Sequence, residues 1–162
     1  MKIIVSIIIS LCVLSTLNAQ KNVEISDFEI LNNTNWKGIL LYKNYSDGKE
    51  VTLQTTMTIS LKKNKVITEI KFTGEPKANS KNIVKLRKKG TYFGNEKVIR
   101  KEILKNGFTK IITFYRGKDN SKKAKMYNTY LFNKDSFSIT KEVEYLDSKG
   151  RFIRNKQTYT RI

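Results

Sequence analysis

The side chains able to do acid–base chemistry in this chain are carboxylates, lysines and tyrosines, because it contains no histidine. That removes the commonest general base, the Ser–His and Cys–His pairs, and nearly all zinc chemistry. The best remaining pair of carboxylates is Glu142 and Glu144. Two positions apart on a strand, they share one face. Their facemates are Ser136, Ser138 and Thr140, while Phe137, Ile139, Val143 and Tyr145 take the opposite face. That is the pattern of an ordinary outward strand face. The chain also lacks a G-x-S-x-G elbow, a phosphate-binding glycine loop, a G-x-G-x-x-G turn and an Asp-rich calcium loop. The expectation is a protein that is not an enzyme, with no metal and no cofactor.

The single cysteine, Cys12, lies in the opening segment "MKIIVSIIISLCVLSTLNAQ". Lys2 supplies a positive start, Ile3 to Leu14 is almost wholly apolar, and Ser15 to Ala19 is small or polar. This is the plan of a secretory signal peptide, expected to be cut after Ala19. An uncleaved anchor is the competing reading, and the short apolar run disfavours it. A lipoprotein cysteine needs a small residue before it, and Leu11 stands there. The expectation is therefore a signal peptide over residues 1–19, a single domain over 20–162 without any thiol, and a periplasmic or secreted location.

Lysine and arginine number 32 against 14 acidic residues, giving a formal charge of +18. A field of that size favours anionic partners such as an envelope polysaccharide or lipid headgroups. The abundant Lys, Asn and Ile also fit an AT-rich genome, in which surface lysines need no partner. The lysine runs "KKNK", "KLRKK" and "KKAK" are dispersed among expected turns. They do not gather on one helix or among stacking aromatics, which argues against a specific nucleic-acid reader. The best local patch is Arg87, Lys88 and Lys89 with Tyr92 nearby. No second apolar run is long enough to cross a membrane as a helix.

These residues must be positioned by strands. Glu24 to Asn33 reads as a short helix, with Ser26 and Glu29 as a capping box. Beyond it, "VTLQTTMTISL" from Val51 alternates apolar and polar, the signature of a half-buried strand. The next strand turns Val66, Ile70 and Phe72 inward. It ends at the lone proline, Pro76, and a long loop. Ile83 to Phe93 reads as one strand with a bulge or bend at Gly90. Strands follow at Lys97–Leu104, Phe108–Arg116, Lys125–Phe132, Ser136–Leu146 and Arg151–Ile162, with Asn106-Gly107 as a tight hairpin turn. The total is about nine strands joined by short turns. The simplest way to dispose of the two edges of such a meander is to close it into an up-and-down barrel. A half-barrel or a two-sheet sandwich is the alternative.

A short helix, then Asn35-Trp36-Lys37-Gly38 on the first strand, then a meander with Arg161 on the last, resembles the calycin superfamily of lipocalins and fatty-acid-binding proteins. The resemblance implies an all-β barrel of about eight to ten strands. It also implies that Trp36 sits at the closed end, with the Arg161 cation over its ring. The lipocalin glycine two residues before the tryptophan is Thr34 here, and the lipocalin disulfide is missing. A barrel of this size either fills with side chains or holds one small ligand. The leading expectation is that it binds a small apolar or amphipathic molecule, with Met57, Ile59, Ile70, Phe72, Ile112 and Phe114 as candidate lining. The alternative is a filled core and a basic surface that adheres to anionic envelope components.

Overall fold

The computed structural model describes residues 20–162; the expected signal segment and Cys12 lie outside the described residues. Ten antiparallel strands form a closed barrel in sequence order. They are β1 (Thr34–Lys43), β2 (Glu50–Lys62), β3 (Lys65–Phe72), β4 (Ser80–Arg87), β5 (Tyr92–Phe93), β6 (Glu96–Ile103), β7 (Thr109–Asp119), β8 (Lys122–Phe132), β9 (Ser136–Tyr145) and β10 (Phe152–Arg161). β10 pairs with β1 and closes the ring.

Period-two alternation explains most of the wall. On β2 the inward side chains Thr55, Met57 and Ile59 are buried, with exposed residues between them. On β9, Phe137 and Val143 are buried, and the intervening Ser136, Ser138, Glu142 and Glu144 face outward. Gly38 is needed where β1 meets β10. A Cβ there would lie 2.0 Å from the Thr158 carbonyl oxygen and 2.6 Å from the Tyr159 ring, so any side chain would push the two strands apart.

One end of the barrel is closed by a 3-10 helix, Ile25–Leu31. The expected helix is therefore present, but tighter than an α-helix and capped differently. The Glu24 N–H donates to the Asp27 carboxylate at 2.7 Å, in place of a Ser26–Glu29 box. Seven residues make too short a segment for a stable α-helix by itself, and packing of Phe28 and Leu31 into the barrel end holds it. An ion pair between Asp27 and Lys101 of β6 adds a tether at 2.9 Å. Ahead of the helix, Gln20 bridges to Lys101 and the Val23 N–H donates to the Gly90 carbonyl at 3.0 Å.

The segment expected to be a single strand from Ile83 to Phe93 is two strands. Lys88, Lys89 and Gly90 take successive φ values of 47°, 54° and 81°. Three left-handed residues in a row reverse the chain, so Gly90 belongs to a turn between two strands instead of a bulge or bend within one. The consequence is the two-residue β5, which joins β4 to β6 through two residue pairs on each side. Beyond that link, Ser80–Val84 of β4 pair only with β3, and Tyr115–Asp119 of β7 pair only with β8. The wall is thinnest here.

Candidate functional site

The floor beneath the interior is aromatic. Phe28 stacks on Phe93 at 5.2 Å and on Phe132 at 5.8 Å between ring centroids. Phe137 lies 5.9 Å from Phe132, 6.1 Å from Trp36 and 6.3 Å from Tyr159. Trp36 is fully buried. Its indole N–H donates to the Thr34 hydroxyl at 2.7 Å, and that hydroxyl donates to the Leu31 carbonyl at 2.6 Å. Thr34 thus satisfies a buried donor and also receives the end of the 3-10 helix, a role no glycine could fill. Arg161 is the register partner of Trp36, yet its exposed guanidinium donates to the Lys134 carbonyl at 3.2 Å. The cation–ring contacts among the described residues lie elsewhere, at Tyr92, Tyr145, Tyr127 and Tyr45.

Above this floor is a cavity of about 260 Å³. Met57, Ile59, Val66, Ile70 and Val84 form much of its apolar wall, and Thr68, Asn82, Glu96, Tyr130 and Gln157 supply its polar groups. Asn82 is exposed and lines the cavity, so the cavity meets solvent beside the thin wall at β4.

Three of the six candidate lining residues, Met57, Ile59 and Ile70, border this space. Phe72 is half-buried and packs against the core without reaching the cavity. Ile112 and Phe114 lie on the other face of β7. Their neighbours Ile111 and Thr113 are the buried residues, and the Phe114 ring packs against Tyr127 at 5.2 Å. The stretch "IITFY" has apolar residues at both parities, so its inward face could not be told from the sequence.

Glu96 was not marked by any local pattern. It begins β6 and turns its carboxylate inward. Oε1 accepts a hydrogen bond from the Asn128 amide at 2.8 Å. Oε2 accepts one from the Thr113 hydroxyl and one from the Tyr130 hydroxyl at 3.3 Å. Burial first, and then the neighbouring Glu96 charge, push the Tyr130 phenol well above its ordinary value, so it remains a donor.

The opposite end carries a second polar cluster. The buried Asp119 accepts hydrogen bonds from Tyr45 at 2.5 Å and Tyr145 at 2.9 Å. Arg154 lies 3.8 Å from the same carboxylate and 3.3 Å over the Tyr45 ring. This cluster ties the β1–β2 turn to β7, β9 and β10. Burial and the Asp119 hydrogen bond push the Tyr145 phenol up to about 12.

Glu142 and Glu144 stand outside the barrel and are engaged by cations. Glu144 meets Lys125 at 2.8 Å, which lowers its carboxyl below the ordinary value, and Glu142 meets Arg151 at 3.8 Å. Arg87, Lys88, Lys89 and Tyr92 gather at the β4–β5 turn, with the Lys88 ammonium 4.7 Å from the Tyr92 ring centre. Among the described residues no group of three or more potential metal ligands is found, and no helix is long and apolar enough to cross a membrane. No protein-family model matches this chain, and no curated protein and no solved structure is significantly similar to it.

Proposed function

We propose that this is an exported, calycin-like binding protein that holds a small amphipathic ligand inside its barrel and catalyses no reaction. The observation that carries the proposal is the cavity itself. It is concave and mostly apolar, has a few convergent polar groups, and is closed below by stacked rings. These are the features of small-molecule sites. A dry cavity of about 150 Å³ accepts benzene, and drug-sized ligands need about 300 Å³ or more. A volume of about 260 Å³ therefore fits a ligand between those sizes. The non-enzymatic reading is supported by the placement of Glu142 and Glu144, whose charges are engaged by surface cations away from the cavity.

The test is native mass spectrometry of the protein purified from its own host without detergent, beside the same sample denatured. A discrete extra mass that is lost on denaturation is the expected result. An apo mass that stays unchanged on adding eight- to ten-carbon amphiphiles would overturn the proposal. A second reading rests on the basic β4–β5 turn. Arg87, Lys88 and Lys89 would adhere to anionic envelope lipid or polysaccharide, an attraction that must weaken as salt rises.

A further inference from the structure

Every carboxylate among the described residues that is at least half-buried has a cation within 4 Å, with one exception. Asp27 has Lys101, Glu69 has Lys81, Glu102 has Arg100 and Lys110, Asp119 has Arg154, Glu142 has Arg151 and Glu144 has Lys125. The exception is Glu96, the one carboxylate on the cavity wall. In a chain with 32 cationic side chains and 14 acidic ones, a missing partner at this position is not a shortage of cations. All three of its hydrogen-bond donors, Thr113, Asn128 and Tyr130, are neutral. A carboxylate has about four acceptor positions. Two are used on Oε2 and one on Oε1, so Oε1 keeps one for a group in the cavity. The three donors hold the carboxylate in a fixed orientation, which is the preorganisation a ligand-reading group needs. The three neutral donors orient the carboxylate without bringing a counter-charge, and a cationic ligand would supply one through a charge-assisted hydrogen bond.

We infer that the cavity is selective for a small amphiphile carrying a protonated amine, its ammonium on Glu96 and its apolar body against Met57, Ile59 and Ile70. This rests on the binding role proposed above and names the chemical class of its ligand. The selectivity runs against the field of the whole molecule. A charge of +18 repels a cation and attracts an anion, so a preference for the amine can arise only from a local group. Salt separates the two contributions. It screens the long-range repulsion over a Debye length of about 8 Å at physiological ionic strength, while the contact inside the cavity is screened much less. Amine affinity should therefore hold or rise as salt is added.

The experiment is calorimetric titration of octylamine, octanol and octanoate, each into the wild-type protein and into Glu96→Gln. The amide keeps the size and the acceptor for Asn128, so the barrel is retained; thermal unfolding confirms this before titration. In the wild type, octylamine should bind about 10-fold or more tighter than octanol, the scale of a charge-assisted hydrogen bond. In Glu96→Gln, octylamine should lose that preference and bind no tighter than octanol does to the same variant. If octanol or octanoate binds as tightly as octylamine in the wild type, this inference fails and the binding role stands. If the amine preference survives in Glu96→Gln, the assignment to Glu96 is wrong. If none of the three binds, both the inference and the proposed function fall.

Discussion

Replacing Val66 by phenylalanine asks directly whether the barrel has room inside. Val66 is buried, points inward on β3 between its register partners Leu61 and Val84, and lines the cavity. A ring placed there would extend into the space of about 260 Å³ instead of into neighbouring atoms. Fully burying a side chain of this class is worth about 1.5–3 kcal/mol, so exchanging Val for Phe gains at most about 1.5 kcal/mol. The same substitution in a filled core forces neighbours aside and costs about 1–3 kcal/mol. The two cases therefore differ in sign. For a domain of this size, 1 kcal/mol moves the unfolding midpoint by about 3–4 °C. The expected result by differential scanning calorimetry is a midpoint unchanged or raised by up to about 5 °C. Affinity for octanol should fall in the same variant, because the ring takes the ligand's place. A protein made more stable yet less able to bind excludes general damage as the cause. A midpoint lowered by about 4 °C or more would mean that the interior was already full, and the binding role built on the cavity would have to be abandoned.

Thr34→Val keeps the side-chain shape and leaves both the Trp36 N–H and the Leu31 carbonyl without their buried partner. Urea unfolding followed by tryptophan fluorescence should show a loss of about 1–3 kcal/mol; a loss below about 0.5 kcal/mol would show that water replaces the hydroxyl freely. Tyr145 ionises near 12 in the folded protein against an ordinary value of 10.0. Above pH 10 the unfolded chain therefore binds fewer protons than the native state, and stability, fully present below that pH, falls as pH rises toward 12. Tyr145→Phe should flatten part of that alkaline slope in pH-dependent unfolding. Tyr45, Tyr115, Tyr130 and Tyr159 are also raised and keep the remainder. An identical slope in wild type and variant would remove Tyr145 from the account.

The all-β meander and the inward faces of β2, β3 and β9 could be read from residues alone. Alternation along a half-buried strand is local, and Val51–Leu61 and Phe137–Tyr145 keep it except at Thr55 and Lys141, the one polar residue at the apolar parity of each. The place of Trp36 came from the calycin resemblance and from no residue pattern, and the structure buries its ring beside Phe137. Local signals stopped where both parities were apolar, as in Ile111 to Tyr115, and where three left-handed residues at Lys88 to Gly90 turned one expected strand into two. Neither outcome is written in a residue's own preference, because lysine rarely takes a positive φ and isoleucine suits either face of a strand. The site lay further out of reach. Glu96 meets Thr113, Asn128 and Tyr130 from 17, 32 and 34 positions away. Nothing near it in the chain tells it from the other acidic residues. Whether a carboxylate finds a cation, and whether a barrel keeps a void, depends on register and summed side-chain volume around the whole ring. Both are properties of the closed structure and of no single segment.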